Sequence, residues 1–169
     1  MKTQQIVINS LLASFSVFLA ILCRAFTVSG IPFLKFDIAD VPVFAATLVF
    51  GFPSGFAILF TASFVRALFF STAGWTGFIM RITSVVVILF LEIYRKKRKF
   101  LILILIATII TYLIIKIPIS YVFWTYFHGV SPVVLKSAIL PIIIPFNLIK
   151  TLINILLALV FEKFLKSKV

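Results

Sequence analysis

From Ile6 to Phe164 one apolar run follows another, and no polar stretch between them is long enough to build a soluble domain. Such a chain must find a solvent for its side chains other than water. Hydrophobic residues make up 63% of it, against roughly 45–50% in an ordinary soluble domain. Charged residues make up 12%, about half the usual share. Mean hydropathy is +1.29. A domain of 169 residues leaves a large polar shell to be made even when its core is full, and this composition cannot make one. A soluble enzyme domain, a disordered chain and a coiled coil are excluded, and an integral membrane protein of five to seven spans is expected. Lys2 followed by Ile6 to Leu22 has the flavour of a signal peptide, but no small-x-small site leads into a hydrophilic region. The stretch reads as a retained first helix.

Six spans are predicted in a single domain, residues 1–169. The first runs from about Gln5 to Phe26. A polar-tinged loop, Thr27 to Asp40, follows. The second span starts near Asp40-Val41-Pro42, where Asp40 suits an N-cap and Pro42 the first turn, and it stops early at Gly51-Phe52-Pro53. The third reaches about Phe70, and Ser71 to Gly74 make a turn. The fourth covers about Trp75 to Tyr94. The fifth covers about Phe100 to Ile117 and is expected to end at Pro118. The segment from Ile119 to Pro141 is mixed, with aromatics that suit the membrane interface. The sixth covers about Ile142 to Phe164.

Sixteen Lys/Arg face four Asp/Glu, a net charge of +12. In a soluble protein this would point to nucleic acid; here the cations lie mainly between apolar runs. Arg95 to Lys99 is an unbroken row of five, and hydrocarbon would charge about 2.5–3.5 kcal/mol for each. That row must be a surface loop. Lys2, the row and Lys163, Lys166 and Lys168 fall on one side of a six-span chain. The positive-inside rule puts that side, with both termini, in the cytoplasm of a plasma-membrane protein.

Polar residues at membrane depth are the informative ones. Arg66 and Arg81 lie inside the third and fourth spans. Asn147, Lys150 and Asn154 share one face of the sixth. For that face two readings stand, a polar lining for a small-molecule pocket or hydrogen bonding between helices, with Lys150 snorkelling to the interface. Arg66 and Arg81 either contact a ligand or pair with Asp37 and Asp40 to close the first loop over the bundle. The single Cys23 and single His128 exclude a disulfide and a metal cluster. No triad, HExxH or Walker A motif is present. No catalysis is expected, no cofactor, and no nucleic-acid partner. Ser10 with Ser14, and Ser16 with Ala20, recur at small-xxx-small spacing. They suit packing inside the bundle or a docking face for another membrane subunit.

The segment Lys35-Phe36-Asp37-Ile38-Ala39-Asp40-Val41-Pro42 resembles the F-D-x-S/A-D-I/V-P stretch of the riboflavin-specific S components of energy-coupling factor (ECF) vitamin transporters. Phe50-Gly51-Phe52-Pro53-Ser54-Gly55 is similar to the F-G-P-x-x-G that follows it there. Ser71 to Gly74 resembles their Ser/Thr-Gly-Gly turn. Pro145-Phe146-Asn147-Leu148-Ile149-Lys150 resembles the P-F-N-L-I-K that opens their sixth helix, a motif shared with folate-type members. Two stretches depart: Gly77-Phe78-Ile79-Met80-Arg81 stands where those members carry Gly-Glu-Leu-x-Asn, and Ala62-Ser63 where they carry Lys-Asn.

The resemblance implies an all-α six-helix bundle that captures a vitamin, riboflavin or FMN first, from the outer face. It implies as partners a transmembrane T subunit and two ATPase subunits. It puts Asn147 and Lys150 in the pocket. Asn154, Asp40 and Arg81 extend the candidate binding set. Phe36, Trp75, Phe78, Tyr121 and Trp124, with Phe33, are candidate walls for a flat ring. Two alternatives stay open, an S component for pantothenate, folate or pyridoxine, and a membrane scaffold or assembly protein with no ligand.

Overall fold

The computed structural model describes residues 3–23, 37–70, 74–97, 101–126 and 129–167, which form helices and short connections with no strand among them. The helices are α1 (Thr3–Leu22), α2 (Val41–Phe50), α3 (Phe52–Phe69), α4 (Gly74–Ile82), α5 (Val85–Lys96), α6 (Leu101–Tyr126), α7 (Pro132–Ala138) and α8 (Ile144–Lys166), with a π-helical turn at Ile139–Ile143. Five stretches are long and apolar enough to cross a membrane: Thr3–Leu22, Phe52–Phe69, Gly77–Lys96, Leu105–Tyr126 and Pro141–Lys166. Large apolar side chains such as Leu11, Ile114 and Val160 lie exposed on their outer faces, as a bundle solvated by lipid requires.

Helix α2 is the exception. Its ten residues reach about 15 Å at 1.5 Å per residue, half of the roughly 30 Å hydrocarbon core. The sequence predicts a short second span here; the helix is instead a buried strut. Val41 to Leu48 are all buried, so no face is left for lipid. It packs on α8 most extensively, and on α3, α5 and α1. Phe44, Leu48, Ile58, Leu59, Ile88 and Ile155 form the centre of the core around it. Gly55 lets α3 approach this closely: a Cβ there would overlap Thr47 Oγ1 and come within 3.0 Å of Thr47 Cβ.

At one end of the bundle Gly51 joins α2 to α3 with φ +94°, a value that favours glycine. The Phe52 N–H that opens α3 donates to Glu92 Oε2 at 3.1 Å, and Glu92 also holds Arg95 at 2.8 Å. The carboxylate at this helix start thereby satisfies a donor that the helix itself leaves open.

Three boundaries differ from the sequence reading. The predicted fourth span is two helices, broken at Thr83–Ser84, where Ser84 N–H donates to the Arg81 carbonyl and Thr83 Oγ1 to that of Met80. Hydroxyl side chains that bond locally to backbone offer the chain an alternative to the regular helix. The predicted fifth span does not stop at Pro118, because α6 runs on to Tyr126 with Pro118 inside it; membrane helices tolerate proline where neighbours resatisfy the freed groups. From Pro132 the mixed segment is α7 and then a π turn, which passes Pro141 to end at Ile143 and leads into α8.

Candidate functional site

Residues 37–40 enter the bundle as irregular backbone, which persists when buried only where other groups satisfy it. Ser16, fully buried on α1, donates to the Ala39 carbonyl at 2.6 Å. Ala39 N–H donates to Asp37 Oδ1 at 2.8 Å. Asn154 on α8 donates to the Asp37 carbonyl at 3.0 Å. Arg81 on α4 binds the same segment from the other side: it pairs with Asp40 at 2.9 Å and Asp37 at 3.6 Å and donates to Ser16 Oγ at 3.1 Å and the Ala39 carbonyl at 3.2 Å. Arg66, near the end of α3, pairs with Asp37 at 3.1 Å. Burial works to raise the Asp37 carboxyl, but the charges of Lys150 and Arg81 and the Ala39 N–H outweigh it and hold it below the usual carboxylate range.

Beside this knot lies a cavity of about 210 Å³. Arg66 and Ser63 come from α3, Phe78 and Arg81 from α4, Ser84 from the start of α5, Lys116 and Trp124 from α6, and Phe146, Asn147 and Lys150 from the beginning of α8. Asp37 and Asp40 close one side. Asn147 Nδ2 donates to the Ile143 carbonyl at 2.8 Å, which leaves one N–H and the amide oxygen to address the cavity. Lys116 donates to Tyr112 Oη at 2.5 Å. Ser63, 1% exposed, has a hydroxyl with no hydrogen-bond partner among the described residues.

The residues singled out in the sequence divide accordingly. Asn147, Lys150, Asp40, Phe78, Arg81 and Trp124 line this one cavity. Asn154 lies beneath it, holding the 37–40 segment, and is not part of the lining. Trp75 is exposed and packs edge-on against Phe64 and Phe78. Tyr121 is half-buried on α6 and outside the lining. Phe33 and Phe36 lie outside the described residues. On α1, Ser16 and Ala20 face the bundle interior, whereas Ser10 and Ser14 are exposed and bond back to the Ile6 and Ser10 carbonyls. Of the two readings for Arg66 and Arg81, the structure shows the pairing: each holds an aspartate, and each also borders the cavity.

Lys116 and Phe146 are lining residues that sequence reasoning missed. Lys116 is a cation inside an apolar run, a signal in itself. A helix that ended at Pro118 would put Lys116 at its surface end, whereas α6 runs on to Tyr126.

The fold is similar to that of a solved S component of a bacterial ECF transporter, with a TM-score of 0.78 at 23% identity over 99% of this chain and 98% of the other. A search of curated proteins finds no match. The sequence model of the ECF transporter substrate-specific component matches residues 4–161. Nearly the whole chain is covered by that match, and it belongs to the substrate-specific components of ECF transporters, membrane subunits that bind a substrate for transport and are not enzymes.

Proposed function

We propose that this S component captures riboflavin, or its 5′-phosphate, from the outer face of the plasma membrane. It then hands the cargo to a T subunit driven by two ATPase subunits. The orientation rests on charge, because the cationic row from Arg95 to Lys99 marks a cytoplasmic end. The 37–40 segment and α2 together return the chain to that end, where Gly51 lies beside Arg95, so both termini share it and the cavity lies in the outer half.

The observation that carries the reading is the cavity itself. It combines aromatic walls, Phe78, Trp124 and Phe146, with Asn147, whose amide presents both a donor and an acceptor. Flat heterocycles use such walls for stacking and such amides for register. The Ser63 hydroxyl adds a buried polar group in want of a partner, which is rare in a finished interior. A scaffold protein without a ligand has no use for either. A second reading, a smaller vitamin, is favoured by the volume: about 210 Å³ lies under the roughly 300–1,000 Å³ of common ligand pockets.

The test is mass spectrometry of whatever co-purifies with the detergent-solubilised protein, together with its visible spectrum. Flavin mass and flavin absorbance support the first reading. Another vitamin mass supports the second. Protein that binds neither co-purified nor added vitamin overturns both.

A further inference from the structure

Buried hydroxyls in this bundle are spent on partners within it. Ser16 donates to the Ala39 carbonyl, Thr83 to that of Met80, and Ser84 to Asp40 Oδ2. Inside a helix the ready partner is the carbonyl four residues back. Thr47 on α2 takes that of Val43 at 2.9 Å, and Ser10 and Ser14 on α1 do the same with theirs. Ser63, inside α3 and 1% exposed, does not. Its hydroxyl passes over the Leu59 carbonyl and meets no other partner among the described residues. It also borders the cavity. Each other polar side chain of the lining, Lys150 and Trp124 included, is engaged within the protein.

A buried hydroxyl with no hydrogen bond lowers stability. Where it stands in a cavity wall, an occupant that supplies the missing bond recovers that loss. We propose that Ser63 is a specificity-determining residue, whose hydroxyl bonds a polar atom of the bound cargo at the α3 wall. That atom is a carbonyl oxygen, a ring nitrogen or a hydroxyl, since a serine hydroxyl both donates and accepts. Asn147, with one N–H and its amide oxygen still open, meets a second polar atom at the α8 wall. Helices α3 and α8 each pack on α2, so the two contacts are held on one rigid frame. The cargo must therefore carry hydrogen-bonding atoms on two edges, and an analogue apolar on the α3 edge leaves Ser63 stranded. This deepens the vitamin-capture reading and rests on it.

Ser63→Ala separates this role from a structural one, because the two move stability and binding differently. In the ligand-free protein the variant gives up no bond among the described residues, and alanine is the better helix former. Its thermal midpoint should hold or rise. Ser84→Ala removes a hydroxyl that has a partner and should lower the midpoint by about 2–6 °C. Titration calorimetry with riboflavin, pantothenate, folate and pyridoxine in turn, on wild type in detergent, finds the vitamin that binds. Ser63→Ala should bind that vitamin about fivefold to thirtyfold more weakly. Unchanged affinity overturns the role of Ser63 and leaves vitamin capture standing. A midpoint lowered as far as in Ser84→Ala makes the hydroxyl a structural group and overturns it too. If wild type binds none of the four, vitamin capture itself fails and takes this assignment with it.

Discussion

Arg81 is the side chain whose loss should most disturb the fold around the cavity. Replacing it with Met keeps much of the length and removes the charge. Asp40 then loses the partner at 2.9 Å, and the Ala39 carbonyl loses the donor at 3.2 Å. The side chains are 10% exposed for Arg81, 14% for Asp40 and 16% for Asp37, so little water can replace what is removed. Breaking a buried pair from one side costs about 3–5 kcal/mol. Arg66 still holds Asp37 and Ser16 still serves Ala39, which puts the expected loss at the lower end, about 3 kcal/mol. At about 2–4 °C per kcal/mol for a chain of this size, the midpoint should fall by about 6–12 °C. The protein carries its own reporter. Cys23 is the single cysteine and is buried, so a thiol-reactive fluorophore reads unfolding directly. The double variant Arg81→Met/Asp40→Asn should recover part of the loss, because it removes the stranded charge. A fall of less than about 2 °C in Arg81→Met would refute the idea that this residue holds the 37–40 segment in place.

Three further outcomes are expected. Asp37 is held below its unfolded value of 3.8, so its contribution to stability is present above about pH 4 and is lost as pH falls through the folded value. The thermal midpoint should therefore drop more steeply below pH 4 in wild type than in Asp37→Asn, and parallel curves would contradict this. Gly55→Ala forces a methyl against Thr47 and should cost about 1–3 kcal/mol by overpacking; adding Thr47→Ala should return part of it in the same thiol assay. Asn147→Ala should weaken ligand binding tenfold to a hundredfold in titration calorimetry, since a ligand polar group left unpaired costs about 1–3 kcal/mol, and unchanged affinity would remove the start of α8 from the site.

Much of this architecture is written in the chain, and the failures have physical causes. Asp40, Pro42 and Gly51 bracket α2 to within a residue, although the Asp40 carboxylate makes no cap and goes to Arg81 instead. The spacing of Asn147 and Lys150 put both on one face, and both border the cavity. Asn154 continues that face but serves the Asp37 carbonyl; periodicity gives direction around a helix and not what stands opposite it. The break at Thr83–Ser84 carries neither glycine nor proline; it goes with hydroxyl bonds, Thr83 Oγ1 to the Met80 carbonyl and Ser84 Oγ to Asp40 Oδ2 at 3.4 Å, that propensity alone does not announce. Pro118 misled for the converse reason: the rule that it ends helices assumes water is ready to take the freed carbonyl, and a bundle in lipid supplies neighbours in its place.

The seating of α2 has a consequence for biosynthesis. Its most extensive neighbour is α8, which begins at Ile144, almost a hundred residues downstream of Phe50. At roughly 5–20 residues per second, the ribosome needs on the order of five to twenty seconds to deliver that neighbour after α2 has emerged. During the interval a ten-residue helix too short to anchor itself in the bilayer has an incomplete socket. A nascent chain stalled or truncated before Ile144 should present α2 and the 37–40 backbone to quality-control proteases, so maturation of this fold is gated by the arrival of α8.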